Sequence, residues 1–194
     1  MSYSIYAYLV DIEQLQQIHG SKDVTIVPNI TDSFSEELEE NNEWFESEIE
    51  SGAPTLIQAV RDIVDGNVEK TEAYWWQYVY ALELICKYIG TQLESDELEA
   101  IKSSGFWIVD EMEAIKDLNY SSRSPIPIHG LENLPSITYV SYDEAIYYLS
   151  NRYSKKKADL TPDQEERLVN AIEQYHSWLK EAINKRTGLV CFLY

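Results

Sequence analysis

Hydrophobic residues cover most of a helical wheel drawn for residues 71–90, TEAYWWQYVYALELICKYIG. A helix apolar around most of its circumference belongs in the middle of a domain, with other elements wrapped over it. Thr71 suits the N-cap, Glu72 the positive end of the helix dipole, and Gly90 the stop. Tyr78, Leu82, Ile85 and Ile89 form the predicted core stripe. The polar residues Glu72, Gln77, Glu83 and Lys87 gather on one narrow stripe, which the pattern predicts to be exposed. Glu83 and Lys87 stand there as an i, i+4 pair in the favourable order. Trp76 and Tyr80 fall on the same stripe. They are therefore either covered by another element or used as an aromatic contact surface.

The rest of the chain reads as short elements around this helix. Residues 3–10, YSIYAYLV, are apolar on both faces of the alternation and predict a strand covered on both sides. Asp11 caps a short helix through Ile12, Leu15 and Ile18 that ends at Gly20. A short piece follows whose length Pro28 limits. Residues 31–51 read as one longer acidic helix with Phe34, Leu38, Phe45 and Ile49 on its inner stripe. Pro54 opens a helix that turns Ile57, Val60, Ile63 and Val64 inward and stops at Gly66. Ser95 starts a short helix ending near Gly105, and residues 106–118 keep helical spacing despite a strand-like FWIV start.

Residues 119–135, NYSSRSPIPIHGLENLP, have three prolines, one glycine and no periodicity. An irregular loop this long is uncommon inside a compact domain and often functional. SITYV, residues 136–140, reads as a strand. Ser141 and Glu144 form a capping box that opens a helix with Tyr142, Ala145, Ile146, Leu149 and Tyr153 on one face. Arg152 and Lys155, Lys156 and Lys157 make a local basic patch. A second capping box at Thr161, with Pro162 at N1, precedes the cleanest helix of the chain. Leu168, Ile172, Tyr175, Leu179 and Ala182 mark its inner face, and Gly188 its stop. LVCFLY, residues 189–194, reads as a buried strand. Placing the first and last strands in one sheet is the simplest way to cover both.

Composition changes this picture mainly through charge. The chain has 194 residues, 34 acidic and 15 basic, for a net charge of −19. Residues 1–100 hold 21 of the acidic and 4 of the basic residues, and eight glutamates lie between positions 36 and 50. So acidic a chain repels nucleic-acid phosphates and anionic lipid, so neither nucleic acid nor a membrane is the expected partner. The glutamate block is either a solvated outer face or a docking surface for a basic protein, with Glu39, Glu43 and Glu46 as its candidate contacts. No apolar run is long enough to span a membrane, and no signal-peptide pattern is evident at the start. The sequons at Asn29 and Asn119 then carry little weight, and the reading is a cytoplasmic protein of bacterial type. The length suits one domain over residues 1–194.

Motif chemistry is sparse. There is no CxxC, no HExxH, no glycine-rich phosphate loop and no GxSxG elbow. No metal or cofactor is expected. Cys86 and Cys191 both sit in apolar elements and read as buried free thiols rather than as a disulfide or a nucleophile. His19 falls at a helix C-terminus and His176 on the flank of the last long helix, where structural roles suffice. His129, with Arg123 nearby in the irregular loop, has the one plausible site context among the histidines.

The N-terminal YAYLVDIEQLQQIHGSKD and the closing GLVCFLY resemble an uncharacterised family of small bacterial proteins of unknown function. The order of elements is more distantly similar to the YfbM-like family. The resemblance implies an α+β domain and supplies no catalytic residues. The expected fold is therefore α+β, helix-rich, with a small sheet that includes the N- and C-terminal strands. The expected function is that of a non-enzymatic acidic protein-binding module, an immunity- or antitoxin-like partner of a basic protein, with Trp76, Tyr80, Glu39, Glu43 and Glu46 in contact. The alternative is a small-molecule binder or enzyme with a site near Arg123 and His129 in the 119–135 loop. Oligomeric state is left open.

Overall fold

A computed structural model describes residues 5–68, 71–94, 123–130, 135–150 and 162–194. It is α+β, with a four-stranded antiparallel sheet. The elements run β1 (Ile5–Val10), α1 (Ile12–Ile18), α2 (Ile26–Ser33), α3 (Ser35–Trp44), α4 (Glu46–Glu50), α5 (Leu56–Asp65), α6 (Thr71–Ile89) and β2 (Thr91–Leu93). They continue with β3 (Ser136–Val140), α7 (Tyr142–Ser150), α8 (Pro162–Lys185) and β4 (Gly188–Leu193). The sheet order is β2-β1-β4-β3, so the first and last strands are its two central neighbours.

Register follows from the apolar pattern. Tyr8 faces Val190 and Ala7 faces Cys191 across the β1–β4 pair. Side chains alternate between faces along a strand. Tyr8, Val10, Ile137, Val190 and Phe192 belong to the cluster built around α6. Ala7, Leu9, Leu189 and Cys191 point to the other face and are equally buried, and α7 and α8 pack against β4. The sheet is thus covered on both sides, as its doubly apolar strands require. Tyr6 is the exception on β1, 37 % exposed.

Local chemistry sets most boundaries. The Asp11 carboxylate accepts from the backbone N–H groups of Glu13 and Gln14 and starts α1. Thr55, rather than Pro54, caps α5 by accepting from Gln58 N. Gly66 ends α5 in the left-handed region at φ 80°. Ser141 and Glu144 close a reciprocal box at the start of α7: Ser141 N donates to Glu144 Oε2 at 2.8 Å, and Glu144 N to Ser141 Oγ at 3.4 Å. Each bond satisfies a donor that a helix start leaves free.

Several expectations are corrected. Pro28 does not limit its segment; it lies in the first turn of α2, where an N–H has no intrahelical acceptor to lose. Residues 31–51 are not one helix. The chain leaves helical geometry at Phe34 (φ −132°, ψ 34°) and at Phe45 (φ −112°, ψ 24°), dividing the segment among α2, α3 and α4. Gly188 does not stop α8. Arg186 takes the left-handed turn at φ 56°, and Gly188 is already the first residue of β4, pressed against Ile12 and the carbonyl of Val140. β2 was not expected. The helix expected from Ser95, residues 106–118, the basic patch at Arg152 and 155–157, the Thr161 box, the Asn119 sequon and Tyr153 lie outside the described residues, as do the side chains of Leu168 and Ile172.

The largest correction concerns α6. Of its expected core stripe, Tyr78, Leu82 and Ile85 are fully buried and Ile89 is half-buried against the same cluster. Its polar stripe is a solvent face only at Glu72. Gln77 is fully buried and Glu83 is only 7 % exposed, with Lys87 half-buried beside them. The Gln77 amide nitrogen donates to the Pro54 carbonyl at 3.0 Å, while its buried Oε1 has no partner among the described residues. The reason for Glu83 is the candidate site.

Candidate functional site

Glu83 is a carboxylate carried into the interior by the central helix. Burying a charge is costly unless donors surround it. Here Tyr8, on β1, donates its hydroxyl to Oε1 at 2.6 Å. Tyr194, just past β4, donates to Oε2. Lys87, one turn along α6, places its ammonium 3.9 Å from Oε1 and 2.6 Å from Glu37 Oε2 on α3. Burial pushes the Glu83 carboxyl above its ordinary value, although the two tyrosine hydroxyls and Lys87 pull the other way. The same burial, reinforced by the carboxylate, raises both Tyr8 and Tyr194. Both tyrosines therefore hold their protons and act as donors.

Above this group lies a cleft of about 410 Å³ between α3 and α6, lined by Tyr6, Glu37, Glu40, Asn41, Trp44, Leu56, Tyr80, Glu83, Leu84, Lys87 and Tyr194. Three carboxylates and one ammonium line it, so its own charge is negative. Aromatic rings form much of the wall. Tyr80 stacks on Tyr194 with centroids 4.9 Å apart and planes 19° from parallel. Trp44, at the end of α3, is 83 % exposed. Asn41 is 8 % exposed, and its buried Oδ1 has no hydrogen-bond partner among the described residues.

The alternative posed by Trp76 and Tyr80 has a definite geometry. Phe45, turned inward by the break between α3 and α4, lies 4.3 Å from Trp76 and 5.7 Å from Tyr80, centroid to centroid. Both aromatics are covered and half-buried, and Tyr80 also lines the cleft. Glu39, Glu43 and Glu46 are exposed. They stand outside the cleft wall, to which the acidic helix contributes Glu37 and Glu40 instead.

Arg123 and His129 are held apart in role. Arg123 lies 4.4 Å over the Tyr139 ring and 2.6 Å from Glu144 Oε1. Burial alone would raise the Glu144 carboxyl; the Ser141 backbone N–H, Arg123 and the Ser141 hydroxyl outweigh it and hold the group below its ordinary value. Arg123 lines a second cleft of about 550 Å³ at the starts of α1 and α7. His129 is exposed and lines neither cleft; its neighbour Gly130 sits against Trp75 on α6. Between them Ile126 and Ile128 are buried and anchor this part of the 119–135 segment to the core.

Cys86 and Cys191 are free and fully enclosed, and burial pushes the Cys191 thiol up to about 12 and the Cys86 thiol well above its usual range. Neither has thiolate character at neutral pH. No group of three or more His, Cys, Asp or Glu side chains among the described residues is arranged to hold a metal ion. No described helix is long and apolar enough to cross a membrane.

The family model of a domain of unknown function, DUF7691, matches residues 1–194. The chain belongs to that family. No curated protein and no solved structure matches it. Within this DUF7691 chain, the cleft residues missed by sequence reasoning include Tyr6, Glu37, Glu40, Asn41, Trp44 and Tyr194, with Tyr8 bonded to Glu83 behind them. Trp44 did carry a signal: it is a large aromatic in the acidic segment, off the Phe34–Leu38–Phe45 stripe.

Proposed function

We propose that the chain is a non-enzymatic protein-binding module, acting in a bacterial cytoplasm, that holds a basic protein partner on the acidic face of α3 and at the cleft beside it. The observation that carries this reading is Trp44. A tryptophan that is 83 % exposed, on a helix bearing Glu36, Glu37, Glu39, Glu40 and Glu43, is an aromatic anchor ringed by charge. Exposed tryptophans are enriched among the residues that dominate binding energy, and the surrounding carboxylates steer a cationic partner. An immunity- or antitoxin-like role, neutralising a basic partner, would use this chemistry. The same acidity argues against nucleic acid as the partner.

The test is a titration of the isotopically labelled full chain with a short lysine- and arginine-rich peptide, read residue by residue by NMR. Saturable shifts confined to α3, α4 and the cleft are expected, weakening as salt screens the surface. Trp44→Ala should reduce affinity about tenfold or more, the scale of a hot-spot residue. Shifts spread evenly over every acidic surface, or an unchanged affinity for Trp44→Ala, would reject the reading.

A further inference from the structure

We propose that the aromatic corner formed by Tyr6, Tyr80 and Tyr194, beside the Glu83 carboxylate, binds the quaternary ammonium head of a small soluble compound of the choline class. This site goes beyond the protein partner proposed above and does not depend on it. Three separated parts of the chain bring the rings together: Tyr6 from β1, Tyr80 from α6 and Tyr194 from just past β4. Tyr194 stacks on Tyr80 at 4.9 Å, and Tyr6 meets it edge-on, with centroids 5.8 Å apart and planes 61° from parallel. All three rings line the same cleft. Tyr6 is the one exposed residue of β1, whose other positions are buried, so core packing does not account for it.

The charge of the cleft selects the ligand. Its ionisable wall is Glu37, Glu40, Glu83 and Lys87, three carboxylates against one ammonium. A partly enclosed carboxylate acts on a nearby cation more strongly than one in open water. Yet the inner oxygens are already taken. Glu83 accepts from Tyr8 and Tyr194, and Glu37 from Lys87. The wall therefore keeps its negative field while its inner hydrogen-bonding positions are filled. A primary ammonium entering the corner would bring three N–H donors and leave them short of acceptors, which is costly. A quaternary ammonium has no N–H to satisfy. It is held by the field and by aromatic faces, the chemistry by which aromatic cages recognise choline-like cations. The volume, about 410 Å³, admits a molecule of that size.

The experiment titrates the isotopically labelled full chain with three probes. Choline is the first. Ethanolamine replaces its methyl groups with N–H donors, and neohexyl alcohol keeps its shape without the charge. Saturable NMR shifts at Tyr6, Tyr80 and Tyr194 are expected with choline, about fivefold weaker binding with ethanolamine, and no saturable shift with the alcohol. Tyr6→Phe should keep the choline affinity, whereas Tyr6→Leu should lose about fivefold, the scale of one cation–π contact. Tyr6 is exposed, so neither change disturbs the core. A peptide bearing one trimethyllysine should bind no more tightly than choline. The proposal is overturned by an absence of saturable shifts with choline, by equal binding of ethanolamine or of the alcohol, by full affinity in Tyr6→Leu, or by a preference for the peptide, which would move the group onto a protein. The test of the binding module is read at Trp44, so either proposal can fail alone.

Discussion

The hydroxyl of Tyr8, on the first strand, donates to the carboxylate of Glu83, on the central helix, across a sequence separation of 75 residues and a distance of 2.6 Å. That bond ties the sheet to α6 at a point where an apolar contact would have served packing alone. Tyr8→Phe keeps the ring, its edge-to-face contact with Phe192 and its burial, and removes only the donor. A hydrogen bond to a charged group contributes about 1.5–3 kcal/mol, and the variant should lose that much stability in urea unfolding. A loss under about 0.5 kcal/mol would mean that Tyr194 and Lys87 alone satisfy the carboxylate.

Two carboxylates give stability opposite dependences on pH. Glu83 has a raised folded-state value, so its contribution is present at acid pH and is lost as pH rises through that value. Glu144 has a lowered one, so its contribution is present near neutrality and is lost as pH falls through it. The stability difference between the natural chain and Glu83→Gln should therefore shrink as pH rises from acid to neutral. The difference for Glu144→Gln should grow over the same range. Denaturant midpoints measured across pH check both signs, and parallel slopes for the two variants would contradict the assignment.

Gly90 follows α6, but not as a left-handed stop. A Cβ built there would lie 2.6 Å from the Leu9 carbonyl, 2.7 Å from the Cys86 carbonyl and 2.8 Å from a Val10 methyl. These are backbone and strand atoms with nowhere to move, since β2 begins at the next residue and pairs with β1. Gly90→Ala should cost about 2–3 kcal/mol, in the range of an overpacked core, as read by thermal or urea unfolding. Neutral behaviour would show that the β1–α6 approach is looser than the structure has it.

The sequence carried most of the architecture because its strong signals are local. The Asp11 cap, the Ser141–Glu144 box, the doubly apolar first and last strands and the buried stripe of α6 each lie within one element and its own period. The site was hidden because it depends on partners far apart. On a helical wheel Glu83 and Lys87 read as an exposed ion pair. Only the tyrosines at positions 8 and 194 and the glutamate at 37, which no local period links to them, make the stripe an interior one. The acidic helix was misread for a related reason. Phe34, Leu38, Phe45 and Ile49 fit one helical stripe, yet breaks at the two phenylalanines bring Phe45 onto Trp76 and Tyr80, a contact decided by another element.

Asn41 provides the last prediction. Its side chain is buried, and its oxygen has no donor among the described residues. An unsatisfied buried polar group costs about 1–3 kcal/mol. Leucine has the same four side-chain heavy atoms branched at Cγ, though its methyl groups are bulkier; it suits a helix interior and removes the unsatisfied acceptor. Asn41→Leu should therefore raise stability by about 1–2 kcal/mol, seen as a higher urea midpoint with an unchanged slope. Residues of a binding site commonly trade stability for function in this direction. A variant less stable than the natural chain would instead make Asn41 a structural residue of α3.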